Sequence, residues 1–420
     1  MEIPGNVTET RIETRDVAEF ATVADAPAMA SIVDAPSGAE FTRDVAVPVS
    51  VPEAVPVDGH AHPGVLKRTW KRTWDYVDEH LGLSALRYPI PAHANTIWNT
   101  LGGMTFVGLI VLVITGIWLA QFYNPDPAAA RLSVAYIQNQ APLGNVIRGI
   151  HVWTAYLVVV LAIVHLIRVV VTAAYKHPRE FNWLVGVGLL GLLLFGGIFT
   201  GTVLRWDQEA YEALEHNTAT AQIFGAIGGF FSRGFTSSVA ILPRLYAAHV
   251  SIVPMLLAGL LIAHIFLIKH HAIAPTAAQA DAGEAPNGSL PKEKMTARYS
   301  THLRLMVGYG MAAVAFAGLL GLLFPPAIGP APDPAMEVTK PPFLFYVFYA
   351  FENFVGIKGI LYSSIGLFGL LAVLPFLDRT PLRRLRRRPV ALVLGSILLV
   401  AVVALSIYVA VSGTGKHLGM

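Results

Sequence analysis

RGIHVWTAYLVVVLAIVHLIRVV (148–170) and PRLYAAHVSIVPMLLAGLLIAHIFLIKH (243–270) are long apolar segments, and each carries a pair of histidines, His151 with His165 and His249 with His264. The pairs are spaced 14 and 15 residues apart. On an α-helix each residue turns by about 100° and rises about 1.5 Å, so 14 steps fall about 40° short of whole turns and 15 overshoot by about 60°. Each pair therefore lies near one helix face, with its members about 21 to 22 Å apart along the axis. Helices 2 and 4 of the chain run in the same direction, so His151 pairs with His249 at one depth and His165 with His264 at another.

Intramembrane histidines are costly without partners. A single one is usually a packing or proton-relay residue, but two matched pairs can clamp two flat cofactors one above the other. Bis-histidine ligation of two non-covalent b-type haems is the simplest reading. His151, His165, His249 and His264 are its metal ligands. Gly102 and Gly116 stand 14 apart in the first apolar segment, and Gly186 and Gly201 stand 15 apart in the third. A missing side chain at each gives a macrocycle room, although glycine also serves plain helix packing. Arg148, Arg168 and Arg244 lie three to five residues from histidines of the set and suit haem propionates, with interfacial anchoring as the alternative for Arg168. Pro254 lies between His249 and His264, where a bend can absorb the extra residue.

Of the 420 residues, 54% are hydrophobic and only 14% charged, against about 25% charged in soluble domains. The expected fold is an all-α integral membrane protein, a four-helix dihaem bundle plus three further transmembrane helices. The seven spans fall at about 97–122, 149–174, 182–204, 239–268, 303–326, 346–377 and 389–412. Lys176 and Arg179, then Lys269, Lys292, Lys294 and Arg298, then Arg379, Arg383, Arg384, Arg386, Arg387 and Arg388 fill alternate loops. The positive-inside rule puts those loops and the amino terminus inside and the carboxyl terminus outside. The arginine run reads as a topology signal and lipid contact, not a nucleic-acid site, and the net charge of +3 is too small to imply an acidic partner.

The chain has no cysteine, so a covalent haem c or a cysteine-ligated iron–sulfur cluster must belong to a partner. Residues 1–65 read as an acidic, disordered tail: the first 59 hold eleven acidic and three basic side chains. Residues 66–92, with Trp70, Trp74, Leu81 and Leu83 among charges, suit an interfacial amphipathic helix. The four-helix dihaem domain follows at 93–271, an Ala/Pro/Gly-rich linker at 272–300, and a three-helix domain at 301–420. His302 and His417, in that last domain, lie at opposite membrane edges and cannot ligate one metal.

With these residues in view the chain resembles the cytochrome b family, and within it cytochrome b6 fused to a subunit IV-like part. IWNTLGGMTFVGLIVLVITGIWLAQFYNP (97–125), YKHPREFNW (175–183), LRWDQEAY (204–211) and the two histidine segments carry the likeness over 74–275; PFLD (375–378) and RRPVA (387–391) carry it over 303–412. The spacing of 15 in helix 4 is similar to the b6 branch. The resemblance implies a quinol:electron-acceptor oxidoreductase of the bacterial cytoplasmic membrane. In it His151 and His249 hold the low-potential haem near the outer face, and His165 and His264 the high-potential haem near the inner face. Quinol oxidation outside and quinone reduction inside translocate protons, and the implied partners are a Rieske-type iron–sulfur protein, a cytochrome c type subunit and a second copy of the chain.

The chain departs from the family pattern in three places. Thr100 replaces the cysteine that fixes an extra haem in b6 proteins, and Arg205 replaces a proline. Pro341, Pro342, Phe343 and Leu344 replace the Pro-Glu-Trp-Tyr of the outer quinol pocket, removing the carboxylate expected to take a quinol proton. An acceptor is still required; Asp207, Glu209, Glu212, Glu337 and Glu352 are available, with Asp207 and Glu352 the catalytic candidates. Two rivals stay open: a non-bifurcating haem conduit with a single quinone site and an external haem-protein partner, and a haem-free membrane channel or assembly scaffold.

Overall fold

The computed structural model describes residues 65–229, 232–285 and 287–418; the expected acidic tail lies outside them, apart from Val65. The principal helices are α1 (Val65–Leu81), α2 (Ile97–Ala120), α3 (Ala130–Asn139), α4 (Gly144–Val171), α5 (Glu180–Val203), α6 (Gln208–Gln222), α7 (Ile241–His271), α8 (Tyr299–Leu323), α9 (Tyr346–Val355), α10 (Lys358–Leu377) and α11 (Pro389–Val411). Seven of them, α2, α4, α5, α7, α8, α10 and α11, are long and apolar enough to cross a membrane. Their outward faces keep large side chains such as Ile114, Phe266, Leu322 and Ile397 exposed, as lipid contact requires. Strand content among the described residues is one two-residue ladder, Pro89–Ile90 against Ala297–Arg298.

Two spans are not uniform α-helix. In α5 the stretch Leu192–Ile198 is π-helical, and in α7 so is Ala248–Ile252. Pro254 follows the second stretch and has no N–H to offer the carbonyl four residues back, which favours the wider turn.

The sixth span is shorter than 346–377. Gly356, at φ 72°, ends α9 in a conformation that side-chain-bearing residues avoid, and α10 restarts at Lys358. α9 is thus a separate ten-residue helix that buries Phe348, Tyr349 and Glu352. The segment 66–92 is also composite: α1 stops at Leu81, and a 3₁₀ turn over Leu83–Leu86 precedes the first strand.

α8 packs along both α2 and α4. It crosses α4 where Gly321 meets Gly149, and a Cβ on Gly321 would stand 2.7 Å from the Gly149 carbonyl carbon. Only glycine permits that approach. α10 lies against α5, with Trp183 Nε1 donating to the Leu371 carbonyl at 2.7 Å. The segment 272–300 is tied down: Arg179 donates to the Gly288 and His271 carbonyls, and Asp281 accepts from the Arg383 N–H at 2.9 Å.

The end of the bundle bearing loops α4–α5 and α10–α11, here called the basic end, is closed by a buried cluster. Asp378 accepts from Tyr175 Oη at 2.5 Å, Lys176 Nζ at 3.0 Å and Arg388 Nη1 at 3.2 Å. Arg388 Nη2 also donates to the carbonyl of Val171 at the end of α4 and to that of Val170, which accepts from the Ala173 N–H as well. Arg383 donates to the Ala173 and His177 carbonyls. Two members of the arginine run are therefore internal joints, whereas Arg379, Arg384, Arg386 and Arg387 remain exposed.

Burial works to raise the Asp378 carboxyl, but hydrogen bonds from Tyr175, Lys176 and Thr380 outweigh it and hold its pKa below the usual value. Its contribution to stability is therefore present above about pH 4, the unfolded value, and is lost as pH falls through the lower folded one. Burial also pulls Lys176 below its usual range, so the cluster depends on the carboxylate shared by four side-chain donors. Asp378→Asn leaves two buried cations without their counter-charge and is expected to cost about 3–5 kcal/mol. Thermal unfolding of the detergent-purified protein checks this; an unchanged midpoint would mean the cluster does not stabilise the fold.

Candidate functional site

α4 and α7 stand opposite each other in the bundle formed with α2 and α5, and the four histidines face its interior. The ring centroids of His151 and His249 are 6.5 Å apart at an interplanar angle of 64°. Two metal–imidazole bonds of about 2.0–2.1 Å, with about 1 Å from each nitrogen to its ring centre, need about 6 Å between centroids. Thr115 Oγ1 lies 2.9 Å from His151 Nδ1, and Thr200 Oγ1 lies 2.7 Å from His249 Nδ1. Such outer hydrogen bonds fix ring orientation and leave both Nε2 atoms for a ligand between them. Neither threonine was singled out in the sequence, where only their α2 and α5 positions, one residue from Gly116 and Gly201, hinted at a role.

His165 and His264 lie close enough to interact electrostatically, and the Nδ1 of each is buried without a hydrogen-bond partner. Every glycine of the matched set faces one histidine. A Cβ at Gly102 would stand 3.3 Å from the His165 ring, at Gly116 3.4 Å from His151, at Gly186 3.6 Å from His264, and at Gly201 3.1 Å from His249. Among the described residues no three His, Cys, Asp or Glu side chains gather as a metal cage. The facing imidazoles and the glycines opposite them fit haem.

The arginines are placed differently. Arg148 is buried and donates to Gln138 Oε1 at 2.7 Å and to the Pro326 and Ala327 carbonyls, so it ties α4 to the loop after α8. Arg244 donates to the Ser232 carbonyl at 3.0 Å and lies over the Phe235 ring. Arg168, at the basic end, has a buried Nε without a hydrogen-bond partner, as do Asn99 Oδ1 and His302 Nδ1, and it acts electrostatically on His302.

At the opposite, acidic end, a cavity of about 450 Å³ opens between α5, α6, α9 and α10, with Pro341 and Pro342 in its wall. Its lining is mostly apolar, with Phe195, Phe199, Phe345 and Phe348 among the residues. A second cavity of about 320 Å³ lies beside Tyr156 and Arg205.

The five carboxylates named from the sequence all converge here, but they differ in occupation. Asp207 caps α6 through the Ala210 N–H, accepts from Gly329 N at 2.8 Å and pairs with Arg205. Glu212 accepts from Gln208 and from the N–H groups of Val338 and Thr339. Glu209 pairs with Arg205 at 2.6 Å; burial raises its carboxyl above the usual range, and Arg205 offsets only part of this. Glu337 accepts from the N–H groups of His417 and Leu418. Glu352, 1% exposed, instead has His216 Nδ1 at 2.6 Å from its Oε1. His216 carried no sequence signal, because a histidine in a polar amphipathic helix ordinarily faces water.

The sequence pattern of the family Cytochrome b/b6/petB matches residues 85–272. Cytochrome b6 of Heliobacterium modesticaldum is 38% identical over 186 residues, 43% of this chain and 87% of that protein. The chain belongs to the cytochrome b/b6 family. The menaquinol:cytochrome c reductase cytochrome b subunit of Geobacillus thermodenitrificans is 34% identical over 218 residues, 48% of this chain and 97% of its own length. A chain of a hyperthermophilic respiratory Complex III shares the fold, with a TM-score of 0.68 and 24% identity, covering 82% of this chain and 93% of its own. This cytochrome b is an integral multi-pass membrane protein of a class that serves oxidoreductase complexes, and its family implies haem b.

Gly186 and Gly188 of α5 provide an internal control. A Cβ at Gly186 meets the His264 ring, whereas one at Gly188 meets nothing within 4 Å. Gly186→Leu is expected to lower the reduced b-band absorbance per protein and Gly188→Leu to leave it unchanged. Equal spectra from the two variants would mean that glycine at 186 serves helix packing alone.

Proposed function

We propose that this chain is the dihaem cytochrome b of a quinol-oxidising complex, with His151 and His249 ligating one b-type haem and His165 and His264 the other. The single observation that carries the reading is the 6.5 Å facing of His151 and His249, each with its Nδ1 beside a threonine hydroxyl. When bound, the two haems supply one-electron stations at two depths of the membrane.

The chain's own residues do the rest. Thr115 and Thr200 hold the acidic-end imidazoles in orientation, and Gly102, Gly116, Gly186 and Gly201 keep Cβ atoms away from the rings. Arg168, Arg148 and Arg244 are the cations for propionates; Arg168 is best suited because its Nε lacks a protein acceptor. Quinol is oxidised in the 450 Å³ cavity, whose aromatic and proline walls suit a flat ring and exclude water. Of the two catalytic candidates, Glu352 takes a proton there, whereas Asp207, with its oxygens bonded to Ala210, Gly329 and Arg205, lines the second cavity.

The basic end faces the cytoplasm of a bacterial inner membrane, with the amino terminus inside and the carboxyl terminus outside. Quinone reduction at that end and quinol oxidation at the other translocate protons. Residues 93–271 form the dihaem unit, 272–300 the joint and 301–420 the part that walls the cavity. A Rieske-type iron–sulfur protein, a cytochrome c type subunit and a second copy complete the assembly; the absence of cysteine assigns any covalent haem c or iron–sulfur cluster to those partners.

Pro342, standing where a glutamate was expected, favours one alternative, a non-bifurcating conduit. The two readings differ in one measurement on the purified complex. With quinol and oxidant present, an inhibitor of the basic-end site is expected to drive extra reduction of haem b; a conduit with one quinone site shows none. His165→Leu or His264→Leu is expected to remove about half of the reduced b-band, one haem of two. Full retention of both haems would overturn the ligand assignment.

A further inference from the structure

The absent carboxylate at position 342 leaves a question of proton balance. Each quinol that yields two electrons to one-electron acceptors also releases two protons, and in an apolar cavity the departing proton needs a base within reach.

His216 and Glu352 both line the cavity, from α6 and α9, and bond to each other through Nδ1 and Oε1 at 2.6 Å. The other ring nitrogen, Nε2, lies 3.5 Å from Glu337 Oε1. Glu337 in turn accepts the N–H groups of His417 and Leu418, in a segment whose neighbours Thr414 and Lys416 are exposed. The ring of His417 lies 6.3 Å from that of His216, and its Nε2 is 2.8 Å from Asn353 Oδ1. A file of titratable groups, Glu352, His216 and Glu337, thus runs from the cavity wall to the terminal segment, with the His417 ring beside it.

We infer that the His216–Glu352 pair is the proton acceptor of the quinol site, and that Glu337 and the segment 412–418 form its exit. This deepens the function proposed above and rests on it. One quinol proton passes to the pair, which then carries one positive charge more, and moves on to Glu337. The second leaves with the electron that goes to the external one-electron acceptor.

Other charged or titratable groups facing the pair are Glu209 and Glu212 on α6, Tyr349 on α9, Glu337 in the loop and His417 in the terminal segment. Glu209 is paired with Arg205, and Glu212 is saturated by the loop N–H groups of Val338 and Thr339. α5 and α10 present Thr202 and Ser364, neither of which titrates. The pair is therefore the base in this wall not already committed to an arginine or to backbone N–H groups.

The test uses the intact complex, 2,3-dimethyl-1,4-naphthohydroquinone as donor and ferricytochrome c as acceptor. The wild-type rate is expected to fall on the acid side as the pair becomes protonated. His216→Asn and Glu352→Gln are each expected to slow oxidation by about 10²-fold and to remove that acid limb, with the haem b spectrum intact. A wild-type rate and pH profile from whichever variant assembles overturns the inference. Loss of the b-bands from the unmutated complex would instead sink the haem reading beneath it, so the two failures are distinguishable.

Discussion

A histidine inside a bilayer is tolerated where its ring nitrogens find partners, and this fold must satisfy two pairs at two depths while four helices stay in register. The spacings pose a geometric problem: a 14-residue step and a 15-residue step end about 100° apart on a regular helix. The structure resolves it with backbone. The helices that carry 14-residue spacings, α2 and α4, are regular throughout, whereas α5 and α7, which carry 15, each contain a π-helical stretch. A π turn accommodates one extra residue, so Gly186 and Gly201 come back to one face, as do His249 and His264. Sequence spacing and helix irregularity are two expressions of one constraint.

The acidic end obeys a different logic. The loop after α8 has little regular structure, so its backbone N–H groups need acceptors. Asp207 and Gln208 at the start of α6 and Glu212 one turn on supply them to Gly329, Asp333, Val338 and Thr339. Carboxylates used in this way are structural anions. What remains for chemistry is set by subtraction: the side chain on α9 that faces an imidazole instead of backbone.

The four histidines, the four glycines and the seven apolar segments were legible because each leaves a periodic mark on a single helix. The π turns were half legible, as an odd residue and a proline. The break at Gly356 was not, because the apolar run continues through it and a lone glycine in a membrane span is ordinary. Nor was the pairing of His216 with Glu352, itself a candidate from the sequence, or that of Asp378 with Tyr175, since such pairs join residues well over a hundred positions apart. Arg148 shows the same limit from the other side. Its bonds to the carbonyls of residues 326 and 327 join α4 to a loop that no local pattern connects to it.

The basic end shows why charge counts need structure before they carry an orientation. Arg383, Arg388, Lys176 and Arg179 are consumed by carbonyls and by Asp378, and a buried, bonded cation does not report on the aqueous phase beside it. Removing them leaves Lys269, Lys292, Lys294, Arg298, Arg304, Arg379, Arg384, Arg386 and Arg387 exposed at that end. At the other end Arg233 pairs with Glu215, and Lys340 is held by the carbonyls of Val409 and Ser412. The asymmetry that the positive-inside rule uses therefore survives the subtraction. The internal arginines act on the helix ends instead. Arg388 bonds the Val170 and Val171 carbonyls at the end of α4, so the helix that bears two of the four histidines is anchored by the loop between the last two spans.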